Sequence, residues 1–445
     1  MKKSILVFIS VFMMFLGISA QGIITRKGSN STNNKTQSSS PKKQEPKNQG
    51  SSHSSKPQSS EPNYINILIR PEAEFEDQVV FWNGDLQYVV LDEKQPAVEL
   101  ISGRESSGDV IIPSFVSYEG KNYNVVSIDR GAFAENKSLT SVHIPESVTL
   151  IGQWAFSSCE NLKSVKLPAS LTSLEMGTFC LCRNLTTMQL PNSIIEIGPK
   201  AFAECVNLTE INIPSSVTII GSSSFSGCVR LSSLKIPSSV DNIEEAAFAG
   251  CSRLTTIEIP ESITSLSEKM FFNCEHLATV ILPDGLKSIG AGTFENCKNL
   301  SSIELPVSLK TIGYKAFANC ENLRSLIVPN SVTSIGSSAF LGCSYLGEVK
   351  LSDSLKSIGY KTFSRCVKLK SITVPESVTT IGKEAFSDCP ELTTIKIPDS
   401  VSKIEEGAFS GCIGLSSVDL PVYFRNSVTE IFPDSPKLKL TDKKE

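Results

Sequence analysis

The sequence predicts a solenoid of short stacked coils. It should carry a parallel β-sheet on the concave side, short helical or irregular segments on the convex side, and a β-rich cap at the amino end. Three observations predict it. Phenylalanine recurs every 23 residues from Phe133 to Phe409, thirteen times without a gap, and self-similarity at such a period is the signature of stacked repeats. Locked to each Phe are a Leu, two apolar residues in alternation and then Pro, as in Leu162, Val165, Leu167 and Pro168; the alternation is that of a strand with one buried face. Finally, a coil of this length cannot bury its own apolar residues, whereas equivalent coils stacked on one another can.

Taken in order, residues 1–20 begin with Lys2 and Lys3, continue through an apolar run from Ile5 to Ile18 and end on Ser19 and Ala20. This is the pattern of a bacterial secretory signal peptide cleaved near Ala20, and the run is shorter than the ~20 residues a membrane-spanning helix needs. An exported protein, at the cell surface or extracellular, is the expectation. Residues 21–62 are rich in Ser, Lys, Pro and Asn and nearly free of apolar residues after Ile24, so they read as a disordered tether. That segment holds seven Lys or Arg against two Glu; removing its +5 and the leader's +2 from the total of −4 leaves −11 for the remainder. An acidic body with scattered basic residues argues against a nucleic-acid partner.

Residues 63–128 form the expected β-rich cap with a partial repeat, including a hairpin turning at Glu119 and Gly120. Residues 129–421 hold thirteen repeats, LxxVxLPxSVTxIGxxAFxxC plus two residues. Proline ends each strand because it lacks an N–H, with Ser352 the one departure. A recurrent Gly, from Gly152 to Gly382, reads as a second bend, and the AFxxC segment as a helical turn or irregular backbone with Phe inward. Strands ~4.8 Å apart give a stack on the order of 60 Å long. Residues 422–445 are the carboxyl cap and tail, where SVTEIF repeats SVTxIG four residues late.

Twelve of the thirteen cysteines share one slot of the repeat, with Asn136 in that slot of the first coil and Cys180 the extra one. Disulfides suit an exported chain, but equivalent Cβ atoms ~4.8 Å apart exceed the usual span. A metal is disfavoured by the absence of a CxxC pair and by only three histidines. Catalysis would call for one distinctive thiol rather than twelve equivalents. The cysteines therefore read as small buried free thiols, Cys180 being the one expected to be exposed. The Ser that follows each Pro, with Gly285 as the exception, reads as a turn residue bonded to backbone. No catalytic grouping, cofactor motif or metal motif is evident, so no enzyme is expected.

Two columns alternate with the buried strand residues and should face the concave side. The first is mostly small hydroxyls, Ser141 to Ser417. The second includes Lys235, Glu258, Ile281, Glu304, Ile327 and Lys350, and these six are the candidate contacts. Ile281 and Ile327 are apolar on an otherwise polar face, either marking a modest patch around Glu304 or being the isolated aliphatics that are ordinary on surfaces. The columns lack the Tyr, Trp and Arg of tight interfaces, which favours weak or multivalent contacts.

The repeat LxxVxLPxSVTxIGxxAFxxC over 129–421 resembles the leucine-rich repeats of the Bacteroides surface protein A (BspA-like) type, and FWNGDLQYVVL through NYNVVSIDRGAF is similar to the amino-terminal portion of that family. The resemblance implies a leucine-rich repeat solenoid acting as a protein-binding module, with adhesion to host extracellular-matrix proteins such as fibronectin or fibrinogen as the leading use. A structural envelope scaffold, or a non-catalytic glycan- or peptide-binding accessory protein, is the alternative.

Overall fold

The computed structural model describes residues 72–440; the expected signal peptide and tether, and the outermost residues of both caps, lie outside the described residues. All described residues belong to one compact unit, Pro62–Glu445.

The amino-terminal portion is built of six strands: β1 (Val80–Asn83), β2 (Leu86–Asp92), β3 (Ala97–Ser102), β4 (Gly108–Ile111), β5 (Phe115–Tyr118) and β6 (Lys121–Ile128). The expected hairpin joins β5 to β6, with Tyr118 opposite Lys121. Its two turn residues, Glu119 and Gly120, both have positive φ, 48° and 77°, as a two-residue turn matched to strand twist requires. Parallel pairing then starts the solenoid twice. β4 pairs with Leu139–His143, while β6 pairs with Leu150–Ile151.

Most coils continue both ladders, which are interrupted at some coils. The long strands pair in parallel at an offset of one repeat, Thr256 opposite Thr279 and Glu258 opposite Ile281. Their central residue points inward, as Val280 does, and its neighbours point out. The short strands, such as Ser288–Ile289 and Thr311–Ile312, form the second ladder. Between them, the serine after each proline donates its hydroxyl to a carbonyl of the preceding coil: Ser216 to Ile194 at 2.6 Å, Ser331 to Leu309 at 2.6 Å, Ser400 to Val378 at 2.8 Å. Where proline is replaced, the buried Ser352 makes the equivalent bond itself, to Val332 at 2.6 Å. Tyr423 plays the same part for Val401 after the last coil.

The convex segment is a third ladder rather than a helical turn. From Phe133 to Phe386 the backbone N–H of each Phe, and of the residues two before and two after it, reaches a carbonyl of the next coil, as in Trp154 to Met176, Phe156 to Thr178 and Ser158 to Cys180 at 2.7–2.9 Å. Residues at both flanking positions are left-handed in every coil, for example Lys269 (φ 52°) and Asn273 (φ 59°) around Phe271. The bend is thus located there, not at the recurrent glycine. Gly152, Gly198, Gly313 and Gly336 have no positive φ, but a Cβ on each would fall 2.4–2.6 Å from backbone of the coil below. These glycines are required by close approach of two backbones, not by a turn.

Inside the coil the phenylalanines form one continuous column. From Phe156 to Phe409 neighbouring ring centroids are 5.3–5.7 Å apart and the rings lie within 20° of parallel, an offset-stacked arrangement favourable to aromatic pairs. The column has a fourteenth member. Phe432 sits 4.8 Å from Phe409, tilted by 33°, with Ser435 in the cysteine slot donating to the Cys412 carbonyl at 3.0 Å. In the late SVTEIF element, Val428–Ile431 is a helical turn, and it delivers Phe432 to the column.

Candidate protein-binding face

The thiols come first because their number invites chemistry. In each of the twelve equivalent cysteines the S–H donates to the carbonyl of a phenylalanine 26 residues earlier, Cys159 to Phe133 at 3.1 Å and Cys412 to Phe386 at 3.1 Å being the first and last. They are therefore hydrogen-bond donors as well as packing groups. Asn136, in the same slot, binds the carbonyls of Gly103 and Ser106 through Nδ2 and accepts from the Ser138 and Leu139 amides through Oδ1. All thirteen cysteines are free and buried. Cys180, expected to be exposed, is 8 % accessible; the left-handed residues on either side of this segment turn its slot inward, where the neighbouring coils hold the buried Ser157 and Ala203. Burial pushes the Cys159, Cys180, Cys251 and Cys343 thiols up to about 12, away from the reactive thiolate. Among the described residues no group of three His, Cys, Asp or Glu is placed to hold a metal.

The long-strand face carries the exposed columns. Lys235, Glu258, Ile281, Glu304, Ile327 and Lys350 all point outward. Ile327 lies opposite Lys350, and Ile281 opposite Glu258. At 302–304, between the strands Thr279–Ile281 and Ser325–Ile327, the backbone keeps the in-and-out alternation without forming a ladder strand. Two adjoining grooves flank this segment. One, of about 510 Å³, is lined by Thr279, Ile281, Asp284, Ser302, Glu304 and Val307. The other, of about 640 Å³, is lined by Glu304, Val307, Ile327, Asn330 and Lys350. The structure thus brings Ile281, Glu304, Ile327 and Lys350 into one place and leaves Glu258 and Lys235 outside the grooves.

Val307 is a residue that the two columns missed. It follows Pro306 in the turn and is 84 % exposed, more than Ile327 at 68 % or Ile281 at 51 %. The signal was present in the repeat alignment, since most coils place Ser, Asn, Asp or Glu in that slot. With Val307 the face holds three exposed aliphatics within three consecutive coils, with the Glu304 carboxylate among them.

The BspA type Leucine rich repeat region family model matches residues 121–231, 218–347 and 310–439, in six copies. Among solved structures, a leucine-rich repeat protein from Bacteroides ovatus is 31 % identical with a TM-score of 0.69, covering 81 % of this chain and 100 % of its own. A leucine rich cell surface protein from Faecalibacterium prausnitzii is 30 % identical with a TM-score of 0.58, covering 80 % and 98 %. The pneumococcal vaccine antigen PcpA, 17 % identical with a TM-score of 0.51 over 82 % and 99 %, shares the fold. The search of curated proteins finds no match. A family match that runs unbroken through both ladders and the phenylalanine column shows that the chain belongs to the BspA-type leucine-rich repeat family.

Proposed function

We propose that this chain is an exported, non-catalytic protein-binding module that holds its partner on the long-strand face, and that its use is adhesion to a host extracellular-matrix protein of the fibronectin or fibrinogen kind. The observation that carries the reading is the pair of grooves around Glu304, where Ile281, Val307 and Ile327 are exposed on a face otherwise made of hydroxyl and charged side chains. Such a patch offers apolar area to a partner without a deep pocket, which suits a modest contact. A surface location is supported by the F. prausnitzii relative, which is a cell surface protein by name. Among the described residues no helix is long and apolar enough to cross a membrane.

The test is equilibrium binding of the purified chain to immobilised fibronectin and fibrinogen at low and physiological salt, beside a variant carrying Ile281→Lys, Val307→Lys and Ile327→Lys. Saturable binding that survives salt and is lost in the variant supports the reading. Binding that the variant retains moves the site off this face, and absence of binding to both proteins removes matrix adhesion in this form.

A further inference from the structure

The short-strand flank carries a feature that the groove does not use. The sequence LKTIGYKAF, Leu309 to Phe317, recurs two coils later as LKSIGYKTF, Leu355 to Phe363. In no other coil does the slot after the recurrent glycine hold an aromatic residue. Tyr314 and Tyr360 are 52 % and 42 % exposed. Each is held by the lysine that follows it: the ammonium of Lys315 lies 5.5 Å from the Tyr314 ring centre and that of Lys361 lies 5.0 Å from the Tyr360 ring centre. Those lysines are pinned in turn by Glu295 and Glu384, at 3.1 Å each. The rings are therefore positioned rather than free.

The other lysine of each cassette is different. Lys310 and Lys356 are exposed, as is Lys287 one coil before Lys310. None of the three has a carboxylate within ion-pair distance among the described residues. Like charges one coil apart, ~4.8 Å, repel each other, and they do so here in a body of net negative charge. The coil between the cassettes has only small side chains at the equivalent positions; Thr333, Ser334 and Ser337 reach the surface, and Ser338 is buried. The two rings thus stand about 10 Å apart, two strand spacings, with hydroxyl-bearing residues between them.

We propose that the paired cassettes form a binding site for an acidic polysaccharide. Tyr314 and Tyr360 stack on its sugar faces, Lys310, Lys356 and Lys287 meet its carboxylate or sulfate groups, and the hydroxyls of Thr333, Ser334 and Ser337 between them accept and donate hydrogen bonds. The choice of a polysaccharide over an acidic protein rests on symmetry. The two cassettes have the same residue types and are related by a translation of two coils, so a polymer with a translational repeat can present the same group to both. In a folded partner such a repeat would require the same acidic side chain to recur at that spacing, whereas in an acidic polysaccharide it is built into the polymer. The site is separate from the long-strand groove, and its success or failure leaves the protein-binding reading untouched.

The experiment measures binding of the full chain to polygalacturonate and heparin, as carboxylate and sulfate probes, with dextran as the neutral polymer and polyglutamate as the acidic peptide. Three paired variants are compared: Tyr314→Ala with Tyr360→Ala, Lys310→Gln with Lys356→Gln, and Lys163→Gln with Lys166→Gln as exposed lysines outside the site. Thermal unfolding confirms that each variant is folded. At physiological salt the first two pairs should each weaken binding to at least one acidic polysaccharide by about tenfold, and the third should leave it unchanged. No binding to either acidic polysaccharide overturns the proposal. So does an equal loss in all three variants, and so does tight polyglutamate binding that the tyrosine pair does not affect, since either shows attraction by charge alone.

Discussion

Raising the pH above 9 should unfold the solenoid far more steeply than its few surface ion pairs can explain. Twelve of its thiols are held above their ordinary value of 9.0, first of all by burial in eleven of them and in Cys389 first by a side-chain hydrogen bond with the Cys412 thiol and then by burial. A group whose pKa is raised on folding contributes stability below its unfolded value, and that contribution is lost as pH rises toward the folded value. For these thiols the window opens near pH 9 and extends to about 12 where Cys159, Cys251 and Cys343 titrate. At pH 10, one unit above the ordinary value, each thiol favours the unfolded chain by about 1.4 kcal/mol. Twelve together amount to about 17 kcal/mol, comparable with or larger than the ~5–15 kcal/mol that keeps ordinary domains folded. Urea unfolding followed by far-ultraviolet circular dichroism at pH 7, 8, 9 and 10 measures this. The midpoint should be nearly flat to pH 8 and collapse between 9 and 10.5. A variant with Cys274→Ser, Cys297→Ser and Cys320→Ser should lose about a quarter of the slope, whatever its stability at pH 7. A midpoint unchanged between pH 8 and 10, or an identical slope in the variant, would refute the buried-thiol account.

Two further outcomes test the packing. Phe271→Ala removes a fully buried ring stacked 5.6 Å from both Phe248 and Phe294 and should cost about 3–5 kcal/mol; because coils touch only their neighbours, denaturant unfolding should split into two transitions, and a single transition with an unshifted midpoint contradicts a continuous column. Gly313→Ala places a Cβ 2.6 Å from the Gly290 carbonyl carbon, a contact that only backbone displacement relieves, so it should lower the melting temperature by several degrees, about 1–3 kcal/mol, while Gly285→Ala, whose Cβ meets nothing within 4 Å, should not.

What could be read from the chain and what could not divide along a physical line. The Phe period, the alternation around Val280 and the hairpin at Glu119 and Gly120 were legible because each is a local pattern with one structural solution. The convex segment was not, since its left-handed residues include Lys269, Lys315, Glu384 and Trp154, none of which advertises positive φ. There the inter-coil hydrogen bonds of the phenylalanine segment override local preference, and the hints are scattered, with Gly227, Gly250 and Gly342 in the same slots as Asn273, Asn296 and Asn319. The recurrent glycine misled for the complementary reason: a conserved-looking slot within one chain signals that something small is needed, but not whether conformation or proximity needs it. Cys180 looked exceptional in sequence and is ordinary in space, because a slot filled by Ala or Ser in its neighbours is an inward slot.

The same line runs through the surface. Each outward column follows from the period, so Ile281 and Ile327 could be found by counting, yet a groove depends on how turn and strand residues meet across coils, and Val307 enters it from a turn. The paired cassettes show the converse case. Their identity was visible in the sequence, LKTIGYKAF against LKSIGYKTF, but had no meaning until the stack put Tyr314 and Tyr360 on one flank with a coil of small residues between them. In a solenoid every coil inherits the core from the repeat, so departures from the consensus on the outside are where function can be written. A departure with no copy in the adjoining coils, such as Val307, shapes a local contact; one repeated two coils apart, as in the cassettes, is what the proposed repeating ligand would meet.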